Sequence, residues 1–248
     1  MAASSAKAKS RATFFEHLNE LRSRVILVLA FYMLIFIISY YFSSYIYQIL
    51  SKPLSDINYK VSFIYTGLLE AFATKLEIAA KAAFVLSCPF ASLQLYHFIS
   101  PGLYKGEKQI FLFSLFAANI LFIFGIAFVY FLVMPQAFHF LISFQEDSPE
   151  FTLKLHAKIS EYISLVTSLA VSFGIAFQLP IFLLAAVSIN IITAETLEQY
   201  RRYGIVAIFI IAGIITPPDI LSQLLLALPL IFLYECTIII AKQINKKA

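Results

Sequence analysis

Four histidines and two cysteines are the residues of this 248-residue chain most suited to reaction chemistry, and their spacing argues against it. His17, His97, His139 and His156 form no His-Glu-x-x-His pair. Neither a Gly-x-Ser-x-Gly elbow nor a Gly-x-x-x-x-Gly-Lys phosphate loop occurs. Each histidine stands near the end of an apolar run, where an amphipathic ring suits a membrane interface. Cys88 and Cys236 lie inside apolar runs and read as small buried hydrophobes, not as a disulfide or metal framework. No enzyme activity, metal or cofactor is expected.

A second set of residues suits binding. Glu20 and Arg24 stand four apart in a polar segment before the first apolar run, in the orientation that favours a helical ion pair. That pair reads either as a solvated surface contact or as part of a site. Glu107 follows the helix breakers Pro101 and Gly102 and caps the next helix, where the helix dipole favours an acid. Phe98 and Tyr104 flank the same turn. Gln178 and Glu235 are polar side chains inside apolar runs, which marks them as functional candidates by default. Their plainer readings are an interhelical hydrogen bond for Gln178 and a carboxylate reaching toward the interface for Glu235. Thr216, Ser222 and Gln223 form a small polar group beside Pro217 and Pro218.

The elements that must position these residues are membrane spans. Of the chain, 61% is hydrophobic and 13% charged, with mean hydropathy +0.87. A soluble domain is about 45–50% apolar and about 25% charged, so lipid is the solvent. With 26 Phe, 14 Tyr and no Trp, interfacial anchoring falls to Tyr and Phe. Apolar runs at 25–46, 78–99, 110–134, 162–189, 203–216 and 221–241 predict six helices. The connections at 47–77 and 135–161 are long enough for short interfacial helices. No internal repeat of the transporter kind is present. The first run lacks a small-residue cleavage site after it and reads as a true span, not a signal peptide.

Lys and Arg set the orientation. With the N-terminus cytoplasmic, twelve of them lie on that side and five on the other, with Lys81 just inside the second span. Both ends are therefore expected in the cytoplasm. The expected organisation is a cytoplasmic amphipathic segment over 1–24, a six-helix domain over 25–241 and a tail over 242–248. The fifth run, 203–216, has 14 residues; at about 1.5 Å each it covers about 21 Å of a hydrocarbon core about 30 Å thick. Thr216-Pro217-Pro218-Asp219 ends it, because two prolines cannot continue a helix.

Five ordered segments carry a resemblance. His17-Leu18-Asn19-Glu20-Leu21-Arg22-Ser23-Arg24 resembles the opening motif of the TatC family, the multispan receptor subunit of the twin-arginine protein translocase. Phe98-Ile99-Ser100-Pro101-Gly102-Leu103-Tyr104-Lys105-Gly106-Glu107 matches in turn. So do Phe122 to Phe131, Phe173-Gly174-Ile175-Ala176-Phe177-Gln178-Leu179-Pro180, and Thr216-Pro217-Pro218-Asp219 continuing to Leu233-Tyr234-Glu235. The resemblance covers nearly the whole chain from about residue 14.

The resemblance implies an all-α, glove-shaped fold of six transmembrane helices with both termini cytoplasmic and short fifth and sixth helices. It implies a protein of the bacterial cytoplasmic membrane that binds the twin-arginine signal peptides of folded cargo. Glu20, Arg22, Phe98, Tyr104 and Glu107 would contact that peptide. Two guanidiniums need planar, bidentate carboxylate partners, which two glutamates supply. The implied partners are single-span TatA- and TatB-type subunits, docking at Thr216, Ser222 and Gln223, and further copies of the chain, with proton-motive force as the energy source. Many members of the family carry Glu where this chain has Gln178, so a proton-carrying role is not available there. The competing reading is a secondary transporter of a small solute or ion, with Gln178 and Glu235 as midplane ligands.

Overall fold

Apolar runs become helices because a backbone in hydrocarbon must satisfy its own hydrogen bonds. The computed structural model describes residues 2–55, 62–64, 66–102, 104–142, 156–188, 191–215 and 220–245, and nearly all of these are helical. The first helix, α1, runs unbroken over Ala2–Tyr41, so the polar N-terminal segment and the first apolar run are one rod. Helix α2, Ser43–Ser55, follows, and then a short strand, β1, Ser62–Ile64. Helix α3, Glu70–Ile99, packs along α1 and leads through a 3-10 turn at Ser100–Gly102 into α4, Lys105–Phe128. A π-helical turn over Val129–Val133 joins α4 to α5, Met134–Ile142. Strand β2, His156–Lys158, pairs in parallel with β1, with Phe63 opposite Ala157. Helices α6, Ile159–Ala176, and α7, Leu179–Ser188, follow. A short α8, Ala194–Gln199, precedes α9, Arg201–Ile215, and α10, Ile220–Asn245.

Among the described residues, five helical segments are long and apolar enough to cross a bilayer: His17–Tyr41, Glu70–Gly102, Lys108–His139, Ile159–Ser188 and Gln223–Gln243. The run expected at 203–216 forms α9, whose 15 residues cover about 22 Å, short of a hydrocarbon core of about 30 Å. The last helix departs from expectation. It has 26 residues and is not short, because the apolar pattern continues through Pro229 and the polar end extends the helix to Asn245.

The run at 162–189 is not one straight helix either. It breaks at Phe177-Gln178, between α6 and α7. Pro180 is the physical reason: it has no N–H to give to the carbonyl of Ala176, and its ring crowds that carbonyl. The chain closes the gap with a turn in which Gln178 N donates to Ile175 O at 3.0 Å.

The core lies between α3, the α4–α5 pair, α6 and α10. Val129, Val133, Ile163, Val166, Phe173, Leu226 and Leu230 are almost wholly buried. Two tyrosines dock α2 onto this core: Tyr130 Oη donates to Ile49 O at 2.8 Å and Tyr162 Oη to Leu50 O at 2.7 Å. At the same end, Glu70 ties the strand region together. Its carboxylate accepts from Thr66 N at 2.7 Å, Gly67 N at 3.1 Å and Ser160 Oγ at 2.7 Å.

Candidate functional site

The site is built where the N-terminal part of α1 lies against the last turns of α3. Two contacts bring together segments far apart in sequence. The ring of His17 stacks on Phe98 with centroids 4.3 Å apart and planes 15° from parallel. Seven residues along α1, Arg24 Nη1 donates to Gln94 Oε1 at 3.3 Å. Their spacings, seven residues on α1 and four on α3, keep each pair on facing sides of the two rods.

Glu20 stands between these contacts. Its Oε1 accepts from Arg24 Nη2 at 2.6 Å and Nε at 3.1 Å, while Oε2 faces His17 Nδ1 at 3.8 Å. The surroundings are half open: the side chains of Glu20 and Arg24 are 36% and 26% exposed. Asn19, Glu20, Ser23, Arg24, Leu27 and Gln94 line a cavity of about 540 Å³. Its wall thus carries an acid, a base, two amides, a hydroxyl and an apolar side chain.

Phe98 is half-buried under His17, and Arg22 is exposed on α1. Tyr104 is 81% exposed, and its carbonyl accepts from Lys108 N at 3.0 Å, which makes it the residue that opens α4. Glu107 is in the first turn of α4, where the helix dipole favours a carboxylate. The Glu107 side chain lies outside the described residues.

The remaining polar positions have separate partners. Gln178 Nε2 donates to Ala118 O at 2.9 Å, bridging the break in the fourth apolar run to α4. Glu235 on α10 pairs with Arg201 Nε at the start of α9. A transporter reading would need these two to converge on one ligand, and their hydrogen bonds point to different helices. Gln223 Nε2 donates to Phe209 O at 3.0 Å, so its amide links α10 to α9. Thr216 and the Ser222 side chain lie outside the described residues.

The sequence reading passed over one cluster. Lys81 Nζ on α3 donates to Glu77 Oε1 at 2.6 Å, Thr167 Oγ1 at 2.8 Å and Ser168 Oγ at 2.9 Å. The signal was present: Glu77 and Lys81 are four apart inside or beside an apolar run, the favourable helical order. Glu70 was signalled only by an acid at a helix start.

The sequence profile of the family described as "Sec-independent protein translocase protein (TatC)" matches residues 16–229. The chain belongs to the TatC family. The TatC protein of Rickettsia prowazekii (strain Madrid E) is 47% identical over 235 residues, covering 94% of each chain. That of Aquifex aeolicus (strain VF5) is 36% identical over 232 residues, covering 94% of this chain and 95% of the other. A crystal structure of the twin arginine translocase receptor TatC in DDM superposes with TM-score 0.78 at 36% identity, covering 91% of this chain and 99% of that one. Family membership makes this chain a multi-pass membrane subunit of the Sec-independent protein translocase, a transport component and not an enzyme.

Proposed function

We propose that this translocase subunit is the receptor for twin-arginine signal peptides, and that it recognises them at the Glu20 end of α1. The observation that carries this reading is the meeting of two distant motifs, with His17 on Phe98 and Arg24 on Gln94, around a half-exposed carboxylate. A guanidinium approaching Glu20 finds a planar acceptor at the edge of an apolar region, where water screens the attraction less than in bulk solution. Glu107, two residues into α4, is the second acid, and Arg22 and Tyr104 flank the peptide as it crosses the turn. The apolar stretch of the peptide then follows Leu27 and the helices below it.

On this reading both termini lie in the cytoplasm, α9 completes a sixth crossing, and the membrane is the bacterial cytoplasmic membrane. Single-span TatA- and TatB-type subunits and further copies of the chain assemble around the hairpin of α9 and α10, with Thr216, Ser222 and Gln223 as polar contacts. Proton-motive force supplies the energy. The direct test is a twin-arginine peptide carrying a photocrosslinker beside its arginines. The adducts should map to residues 19–27, 94–98 and 104–107. Adducts confined to α9 and α10 would overturn the assignment of the site.

A further inference from the structure

Glu20 already holds a guanidinium. Arg24 places two donors, Nε and Nη2, on one oxygen of Glu20, and its remaining arm on Gln94 Oε1. This is the same chemistry that the receptor reading asks of a peptide arginine, supplied here by the chain itself. We propose that Arg24 is an internal competitor for Glu20, displaced toward Gln94 when a ligand guanidinium binds. The inference rests on the reading of Glu20 as an arginine-binding carboxylate.

The geometry makes exchange feasible. An incoming guanidinium replaces the hydrogen bonds that Arg24 withdraws, so the carboxylate never has to be stripped of donors, which would be the costly step. Gln94 Oε1, 3.3 Å from Nη1, offers Arg24 an acceptor on the neighbouring helix. Both partners of the ion pair line the open cavity, so a ligand reaches Glu20 without moving a helix. Arg24 also raises the positive charge that a peptide with two arginines must approach. It therefore holds affinity below what a free carboxylate gives, and it refills the site as the ligand leaves.

The remaining polar contacts at this site fit the role. Oε2 of Glu20 faces the His17 ring at 3.8 Å, too far for a strong hydrogen bond, so one edge of the carboxylate stays available for first contact. Gln94 is neutral and does not compete for the acid. The side chain of Ser23 is turned back onto Asn19 O at 3.0 Å and leaves the ion pair alone.

The test measures binding of a labelled twin-arginine peptide to the full chain in detergent, for the unmodified protein, Arg24→Gln, Glu20→Gln and the double variant. Arg24→Gln is expected to tighten binding by about two- to fivefold, the strength of a half-exposed ion pair between helical turns. Glu20→Gln should weaken binding, and Arg24→Gln should lose most of its gain in that background. Arg24→Lys, which keeps the charge but loses the two-donor fork, should shift affinity less and in the same direction, and it serves if Arg24→Gln folds poorly. Equal or weaker binding by both Arg24 variants, with Glu20→Gln still harmful, would make Arg24 a support for Glu20 and overturn the inference alone. No effect of Glu20→Gln would overturn the arginine-binding reading of Glu20, and the inference with it.

Discussion

Gly174 on α6 lies flat against the ring of Phe122 on α4, so close that a Cβ there would stand 2.8 Å from Cε2. The contact is matched across the same seam. A Cβ on Gly125 of α4 would stand 2.9 Å from the carbonyl oxygen of Phe173. Small residues let membrane helices approach until backbones and rings touch. Gly125→Ala is expected to be the harsher substitution, because it meets backbone that cannot rotate away. Gly174→Ala meets a ring, though one that is itself buried. Overpacking typically costs about 1–3 kcal/mol, and the thermal stability of the two variants in detergent should fall in that order.

Lys81 is the second place where the fold is exposed to single changes. About eleven residues into α3, at about 1.5 Å each, it lies about 16 Å from the helix start, inside the segment Glu70–Gly102 that is long and apolar enough to cross a bilayer. Glu77 neutralises it, while Thr167 and Ser168 tie it to α6. Lys81→Met leaves the Glu77 carboxylate without its cation and should destabilise the protein in lipid nanodiscs by roughly 2 kcal/mol. Adding Glu77→Leu should restore part of the loss, because removing both charges removes the need for pairing. A double variant less stable than Lys81→Met would mean that the cluster is held by packing and not by charge.

How much of this was legible in the sequence depends on whether a feature is local. The helices of α1, α3 and α4 follow from apolar length, and the opening of α4 after Pro101 and Gly102 follows from breaker chemistry. The Glu20–Arg24 pair is an i,i+4 relation and was visible directly. Gln94 was not, because nothing local says that α3 runs beside α1 in the register that puts it against Arg24. The break at Phe177-Gln178 was signalled by Pro180, yet apolar composition on both sides hid it. The short α10 was an expectation of the family resemblance alone, whereas the apolar run at 221–241 already covers most of the helix. Glu70 and Lys81 each also find partners on α6, some 90 residues on in sequence, and pairings of that kind are set by packing.

Tyr234 tests how α8 is anchored. Its ring, on α10, is buried beside Gly204 of α9, and its hydroxyl donates to Leu197 O of α8 at 2.8 Å. Nearby, Lys242 of α10 meets Glu198 of α8 at 2.8 Å. Tyr234→Phe should cost about 1 kcal/mol, the net worth of one buried hydrogen bond. Hydrogen exchange at 194–199 should quicken in this variant, while exchange in α6 should not. Glu198→Gln, which removes an exposed pair, should change stability by a few tenths of a kcal/mol at most.

Topology is open to a direct measurement. In a background without Cys88 and Cys236, single cysteines at Ser5 and Asn245 should react only with reagents that enter the cytoplasm, and one at Ser148 from the other side. Because α9 has 15 residues, this experiment also asks whether it crosses. Labelling of Ser5 and Asn245 from opposite sides would require five crossings and a re-entrant α9.

On the receptor reading, the two acids divide recognition of the paired arginines. Glu20 sits on α1 with its geometry set by Arg24, whereas Glu107 sits in the first turn of α4 beyond Tyr104. They belong to different helices, so each should meet a different arginine of a paired motif. Replacing either by Gln keeps the shape and removes the charge. Glu107→Gln should weaken peptide binding by about 1.5–3 kcal/mol, the scale of a hydrogen bond to a charged group. The loss at Glu20 should be smaller, about 1 kcal/mol, because its side chain is over a third exposed and already shares its charge with Arg24. Peptides with a single Arg-to-Lys change at the first or second position then give two double-mutant cycles for each acid. A lysine ammonium lacks the fork that matches a carboxylate, so each acid should couple to one position and not to the other. Equal coupling of both acids to both positions would mean a diffuse field of negative charge. Zero coupling everywhere would mean that Glu107 is a helix cap and Glu20 a surface ion pair, with the peptide bound elsewhere.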